Sequence, residues 1–136
     1  MTLKIYITSV FVNDQSQALD FYTKILGFQL KHDIDMGSHR WLTLVSKEDL
    51  DGTELLLEPS SHEAVKPYRD AIFTDGIPAA SFQVTNLSRE YERLSGLGVK
   101  FVQAPCDMAT VMIATLDDTC GNLIQLIEMK NMATQS

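Results

Sequence analysis

Histidines are the first side chains to test for metal or acid–base chemistry, and the chain has three of them. His32 and His39 lie on either side of a predicted turn, and His62 lies in a segment interrupted by prolines. None falls at a pocket position of the internal repeat described below. We therefore interpret all three as surface or turn residues, not as a ligand cluster.

The two cysteines, Cys106 and Cys120, offer little more chemistry. They are too few for the disulfide framework of a small secreted protein, and their spacing matches no zinc site. Cys106 has no histidine nearby in the sequence, and the negative charge of Asp107 disfavours a reactive thiolate. We interpret Cys106 as structural or incidental, and we expect a reducing compartment, the cytoplasm.

Composition excludes several classes of partner. The chain has 136 residues, 45% of them apolar and 21% charged, with a net charge of −7 and no run of basic residues. A net negative charge disfavours nucleic acid and anionic membrane surfaces, because both are recognised through positive charge. No stretch of 18 apolar residues occurs, so no transmembrane helix is predicted. Ser9, Asn13 and Asp14 interrupt the N-terminal apolar run, so no signal peptide is predicted either. We expect one domain, residues 1–136.

The first half of the chain has the pattern of a strand, a helix and three strands. β-Branched and aromatic residues predict a strand at 3–12. Apolar residues then recur every three to four positions, which predicts a helix. Asp14 and Gln17 resemble a capping box at its start, and Gly27 follows its end. Three more strands are predicted near residues 28–34, 39–46 and 53–58, followed by a connector at 59–77.

The second half repeats this order. A strand is predicted at 78–84, a helix capped by Asn86 or Ser88 and ended by Gly98, and strands near 99–103, 110–116 and 123–129. Landmarks in the two halves lie roughly 70 positions apart, which indicates an internal duplication. The matched landmarks are Val12 and Val84, Gly27 and Gly98, Gly52 and Gly121, and Glu58 and Glu128.

Two motifs that bracket nearly the whole chain resemble those of the vicinal-oxygen-chelate superfamily, which includes glyoxalase, bleomycin-resistance proteins, extradiol dioxygenases and methylmalonyl-CoA epimerase. The first is Phe21-Tyr22 and Leu26-Gly27-Phe28 after Val12-Asn13-Asp14; the second is Asp118, Gly121-Asn122 and Leu123, Ile124 and Leu126 before Glu128. The resemblance implies an α+β domain of two βαβββ modules, about 1–58 and 78–130, forming a glyoxalase-like incomplete barrel around a small-molecule pocket. It also implies a homodimer. The aromatic pair Phe21 and Tyr22 is interpreted as core.

Active members of that superfamily hold a divalent metal with four inward-facing side chains, and the resemblance places these at Ile7, Leu56, Ala79 and Gln125. Only Gln125 can donate an electron pair. Shifting the strands by two residues keeps the face and recovers Glu54 or Glu58, but nothing beyond the hydroxyls of Ser9 and Ser81 near the other positions. Such a set is a poor site for zinc, nickel or iron, so we predict neither a metal nor another cofactor.

Strand alternation gives the side chains expected to line the pocket. A mostly apolar wall with a few polar groups is typical of a ligand cleft. One further contact is expected from Arg40 or Trp41, whose faces the sequence does not assign. The remaining predicted ligand-binding residues are Ile7, Ser9, Phe11, Leu56, Glu58, Ala79, Ser81, Gln83 and Gln125.

Three functions remain open at this point. The first is a metal-free protein of the bleomycin-resistance type that binds a small, partly apolar molecule. The second is a metal-dependent lyase, isomerase or dioxygenase with a displaced site at Glu58 and Gln125. The third is a structural or regulatory dimerisation module. Fold alone does not choose among them, because one fold carries many functions.

Overall fold

A computed structural model describes residues 2–130. The chain forms eight strands and three helical segments within that range. They are β1 (Ile7–Val12), α1 (Gln15–Asp20, continuing as one π-helical turn over Phe21–Ile25), β2 (Gln29–Asp35), β3 (Arg40–Val45), β4 (Glu54–Pro59), α2 (Val65–Thr74), β5 (Ala80–Gln83), α3 (Leu87–Gly96), β6 (Phe101–Asp107), β7 (Val111–Asp117) and β8 (Leu123–Met129).

The strands form two open four-stranded sheets, ordered β1-β4-β3-β2 and β5-β8-β7-β6. β1 pairs in parallel with β4, and β5 pairs in parallel with β8. The other pairings are antiparallel. The predicted α+β class and the two βαβββ modules are therefore confirmed. No helix within residues 2–130 has the length and apolar character needed to span a membrane.

The chain divides into two compact units. The first contains residues 2–69 and a short turn, 119–121; the second contains 70–118 and 122–130. The turn is attached to the first unit by backbone bonding, because the Asn13 N–H donates to the Cys120 carbonyl at 3.1 Å. The first unit carries the first sheet and α1, and the second carries the second sheet and α3.

The start of α1 is fixed by side-chain hydrogen bonds. Asp14 Oδ1 accepts from the Gln17 N–H at 2.9 Å, as predicted for a cap. The Gln17 side chain does not reach back to complete a capping box, and instead donates to the Thr119 carbonyl at 3.2 Å. Gln15 Nε2 donates to the carbonyls of Arg40 and Leu57, which ties the helix to β3 and β4.

Each unit has its own apolar core. In the first unit Tyr22 and the apolar residues of β1, β3 and β4 that face α1 are buried, and Phe21 meets Tyr22 edge to face with ring centroids 5.7 Å apart. Leu87 and Leu94 of α3 are buried in the second unit. The core role predicted for Phe21 and Tyr22 is confirmed.

Two elements differ from the predictions for a common reason, which is the position of proline. The predicted connector contains the ten-residue helix α2, where Pro67 is the third residue. A proline is tolerated there, because the N–H groups of a first turn have no partner within the helix. β6 continues through Pro105 to Asp107, which an edge strand with bulges permits.

Strand register shows how the two modules correspond. Ser9 pairs with Leu56 in the first sheet, and Ser81 pairs with Gln125 in the second. By this register Glu58 corresponds to Ile127, so the landmark match of Glu58 with Glu128 is wrong by one residue. A one-residue offset places the two carboxylates on opposite faces of their sheets, because side chains alternate along a strand.

Candidate functional site

One row of side chains crosses the first sheet on the face away from α1. Ser9 pairs with Leu56, Leu56 with Thr43, and Thr43 with His32. We call this surface the Ser9 face. Ser9 and His32 at the two edges are exposed, whereas Thr43 and Leu56 at the centre are buried. The sequence prediction missed His32 and Thr43, because pairing between strands is not visible in a linear pattern.

A second row on the Ser9 face is aromatic and acidic. Phe11 pairs with Glu58, and Trp41 pairs with Ile34. Phe11, Glu58 and Trp41 are half-buried, and Ile34 is 49% exposed. Aromatic rings beside a carboxylate provide a surface on which a flat ligand can stack while donating a hydrogen bond.

The structure decides which of the adjacent residues Arg40 and Trp41 lies on the Ser9 face. Trp41 has the same strand parity as Thr43 and lies on the Ser9 face, while Arg40 lies on the α1 face. Arg40 donates from Nε and Nη2 to the two Asp33 oxygens at 3.0 and 2.6 Å, and from Nη1 to Ser16 Oγ at 2.9 Å. The hydrogen bond from Arg40 lowers the pKa of Asp33 below its ordinary value.

Arg40 also lines a cleft that the sequence did not predict. Its volume is about 510 Å³, and it opens at the start of α1 and the turn between β2 and β3. Charges of both signs lie in this cleft, which makes it unsuited to an apolar ligand. Its lining residues are Asp14, Gln15, Ser16, Asp33, Asp35, Gly37, Ser38, His39 and Arg40.

Two polar groups in the first sheet are buried without a partner. The hydroxyl of Thr43, a fully buried residue, and the Oε1 of Glu54, 4% exposed, have no hydrogen-bond partner among the described residues. Glu54 lies two positions before Leu56 on β4, so both belong to the Ser9 face. An unpaired buried polar atom costs about 1–3 kcal/mol, so these two atoms are candidates for contact with a ligand.

The second sheet carries the corresponding row, which is entirely polar. Ser81 pairs with Gln125, Gln125 with Thr115, and Thr115 with Gln103. We call this surface the Ser81 face. Ser81 Oγ donates to Gln125 Oε1 at 2.9 Å, so these two predicted site residues are bonded to each other.

The remaining predicted positions, in both units, are less enclosed. Gln83 pairs with Ile127 one row further along β5 and is exposed. Ala79 precedes β5, is exposed, and donates its N–H to the Leu123 carbonyl at 2.8 Å. Ile7 begins β1 opposite Glu54 and is half-buried.

The four superfamily metal positions do not fit a metal. Ile7, Leu56 and Ala79 have hydrocarbon side chains, and the carbonyl oxygen of Gln125 accepts from Ser81. A transition metal needs three or four nitrogen, sulfur or oxygen donors, and this set supplies one. Within residues 2–130, no group of three His, Cys, Asp or Glu side chains could hold an ion elsewhere.

The remaining histidines and cysteines have local roles. His39 Nδ1 lies 3.0 Å from Ser38 Oγ, and His62 Nδ1 accepts from the Ala64 N–H just before α2. Neither cysteine forms a disulfide; Cys120 is buried and Cys106 half-buried.

Comparisons with known proteins give the family. The sequence profile of the Glyoxalase/Bleomycin resistance protein/Dioxygenase superfamily matches residues 4–126. The uncharacterized protein YurT of Bacillus subtilis (strain 168) is 54% identical over 126 residues, which is 93% of this chain and 99% of that protein. Residues 4–126 include every helix and every strand except the end of β8, which continues to Met129.

Solved structures of similar proteins agree. The crystal structure of UcmS2 superposes with a TM-score of 0.81 at 32% identity, covering 94% of this chain and 99% of that one. TnmS3, an antibiotic binding protein from Streptomyces sp. CB03234, gives a TM-score of 0.76 at 25% identity, covering 96% and 98%. The chain described here therefore belongs to the Glyoxalase/Bleomycin resistance protein/Dioxygenase superfamily.

Proposed function

We propose that this protein binds a small, partly apolar molecule without a metal ion, and that the Ser9 face of the first unit and the Ser81 face of the second are each candidate binding surfaces. The residues we assign to binding are those predicted from the sequence, with Trp41 in preference to Arg40. Arg40 is committed to Asp33 and Ser16 on the other side of the sheet. Thr43, Glu54 and His32 join the set because strand pairing and alternation place them on the Ser9 face.

The observation that carries the proposal is the unpaired Oε1 of the buried Glu54. Desolvating a carboxyl oxygen is costly unless a donor reaches it, and no described residue provides one. A ligand with a hydroxyl or amine group beside an aromatic ring would supply that donor and would stack on Trp41 or Phe11. The ligand class that fits is therefore an aromatic compound bearing hydrogen-bond donors.

The family supports a binding role in a limited way. TnmS3, similar in fold, is an antibiotic binding protein. An enzymatic role with a displaced site at Glu58 and Gln125 would instead require metal-dependent turnover that is lost in Glu58→Ala. Glu58 has one carboxylate and Gln125 is already bonded to Ser81, so the binding role is better supported.

Trp41 gives a direct test, because it is the single tryptophan of the chain. Protein treated with a chelator is titrated with a library of phenols and aromatic amines while tryptophan fluorescence is recorded. We expect saturable quenching by one or more compounds, weakened about tenfold in Glu54→Gln, since one charge-assisted hydrogen bond is worth about 1.5–3 kcal/mol.

The matched control is Glu48→Gln, which removes an exposed carboxylate from the turn after β3 and should leave the titration unchanged. Quenching that requires added metal, or that is equal in Glu54→Gln and the native protein, would contradict the proposal. Native mass spectrometry of the purified protein provides an independent search for a bound compound.

Assembly and location are part of the same proposal. We propose a homodimer in the cytoplasm, from the resemblance to superfamily relatives and from the two cysteines, which form no disulfide. Sedimentation velocity over a range of protein concentrations measures the first point: a dimer mass is expected, and a monomer at every concentration would contradict it.

A further inference from the structure

A second cleft in the first unit contains a buried arginine, Arg69, without a counter-charge. It has a volume of about 340 Å³ and is lined by Asn13, Pro59, Ser60, Ser61, Lys66 and Arg69, with no acidic residue among them. Arg69 lies in the second turn of α2 and is only 4% exposed. Buried charges in proteins are normally paired with an opposite charge, because desolvation of an isolated ion is costly.

The partners of Arg69 are all neutral. Its Nη1 donates to Ser60 Oγ and its Nη2 to Asn13 Oδ1, while its Nε has no partner. A guanidinium has five N–H donors, so most of its capacity is unused. Within residues 2–130, no ion pair joins a carboxylate to Arg69.

The cleft is built rigidly around this group. Ser60 Oγ donates to the Val12 carbonyl at 3.0 Å, so both its roles are fixed by the protein. The Asn13 backbone N–H is held by Cys120, and its side-chain oxygen accepts from Arg69, which leaves the Asn13 Nδ2 as a donor. A Cβ on Gly121 would lie 2.7 Å from Arg69 Nε, so this glycine makes room for the guanidinium.

We propose that this cleft binds a small oxyanion, such as a phosphate or carboxylate group, between Arg69 and the Nδ2 of Asn13. Lys66 at the rim adds a second positive charge. The anion supplies the charge that Arg69 lacks, and the planar guanidinium suits an oxyanion because two parallel N–H groups can bond two of its oxygens. The positive charge at this site is a local feature, because the chain as a whole carries a net charge of −7.

The test uses inorganic phosphate and acetate as probes, against chloride at equal ionic strength. The Arg69 Nε–H resonance is followed by ¹⁵N NMR, and thermal unfolding is followed in parallel. We expect phosphate or acetate to shift the resonance saturably and raise the melting temperature, whereas chloride does neither. Whichever of the two acts more strongly identifies the oxyanion class. A saturable response to neither probe overturns the proposal.

Asn13→Asp sharpens the test, because it places a carboxylate of the same shape beside Arg69. The variant should be more stable than the native protein without anion, and its affinity for the probe should fall at least about tenfold, since like-charge contacts are strongly unfavourable. Gln29→Glu, at an exposed position of β2, makes the same change in net charge and should respond like the native protein. An unchanged response in Asn13→Asp overturns the proposal.

Lys66→Gln should weaken the binding of the probe by about threefold, because the exposed lysine is a charge at the rim of the cleft. Lys47→Gln, in the exposed turn after β3, is its control and should have no effect. The readout at Arg69 is separate from the fluorescence of Trp41, so failure here leaves the proposed ligand face untouched, and the reverse also holds.

Discussion

The two modules have the same strand register but differ in how their polar groups are satisfied. On the Ser81 face, Ser81 and Gln125 bond each other. On the Ser9 face the position of Gln125 is taken by Leu56, and the polar atoms nearby have no partner. Within residues 2–130, the buried side-chain atoms without hydrogen bonds belong to Thr43, Glu54 and Arg69, all in the first unit.

This difference supports the first unit as the ligand-binding half proposed above. A duplicated scaffold needs the same caps, turns and core in both copies, and Gly27 and Gly98 keep nearly the same backbone angle, with φ of +91° and +92°. Unpaired buried polar atoms contribute nothing to that scaffold and lower its stability. Their concentration in the first unit is therefore best explained by contacts with molecules other than the chain itself.

The largest effect is expected at Gly121, the counterpart of Gly52. Gly121 has φ of +101° and lies against Arg69, so Gly121→Ala should destabilise the fold by about 2–4 kcal/mol, through backbone strain and displacement of the guanidinium. Gly52→Ala should cost less than about 1 kcal/mol, because its Cβ would meet only the end of the Asp49 side chain, which can rotate away. Urea unfolding of both variants checks this, and equal losses would remove the distinction.

Glu128 tests the corrected correspondence between the modules. Its Oε1 accepts from the N–H of the buried Leu87 at 2.7 Å and so caps α3. Glu128→Ala should cost about 1–2 kcal/mol, and Glu128→Gln, which keeps an acceptor, clearly less. Glu58→Ala should cost less than about 0.5 kcal/mol, since Glu58 is half-buried on the opposite face. A loss in Glu58→Ala as large as that in Glu128→Ala would contradict the different roles assigned to these two carboxylates.

Thr43 and Thr115 occupy equivalent positions on the two faces. Thr43→Val keeps the shape and removes a buried hydroxyl that has no partner, so stability should rise by up to about 1 kcal/mol. Thr115→Val should be neutral or destabilising, because Thr115 is not among the residues with unpaired buried atoms. Thermal unfolding measures both, and a loss of stability in Thr43→Val would mean that its hydroxyl has a partner within the fold.

The smallest effect concerns pH. Hydrogen bonding from Arg40 lowers the pKa of Asp33 in the folded protein. The pair therefore stabilises the fold at a pH above the ordinary aspartate pKa of about 4. This stabilisation is lost as the pH falls through the lower pKa of the folded protein. Asp33→Asn should remove roughly 0.5 kcal/mol at neutral pH, a typical value for a surface pair, and nothing at strongly acidic pH. Urea unfolding at pH 7 and pH 2 measures this difference.

Asp107 and Lys130 form the comparable pair of the second unit, 2.7 Å apart, and the hydrogen bond from Lys130 lowers the pKa of Asp107. Asp107 is more exposed than Asp33, so Asp107→Asn should have a smaller effect with the same sign. An acid dependence that is larger in the second unit would contradict this ranking.

Much of the fold was predictable from the sequence. The cap at Asp14, the glycines after α1 and α3 and all eight strands follow from local residue preferences. For the cap of α3 the sequence offered Asn86 or Ser88, and the structure selects Asn86. Helix α2 was not predicted, because Pro67 was interpreted as a break. The helix forms because Pro67 lies in its first turn, where a proline is tolerated. The partly apolar, partly polar composition of the two faces was also predictable, from alternation alone.

What the sequence determined by itself is the period of each element, and hence which side chains share a face. The tertiary structure alone decided which strands pair and at what register. It therefore assigned Trp41, and not Arg40, to the Ser9 face, moved Glu58 out of correspondence with Glu128, and brought Asn13, Ser60 and Arg69 together. The physical reason is that periodicity is a local property of the backbone. Pairing and burial instead depend on residues that are distant in the chain, and those residues decide which polar atoms are left without a partner.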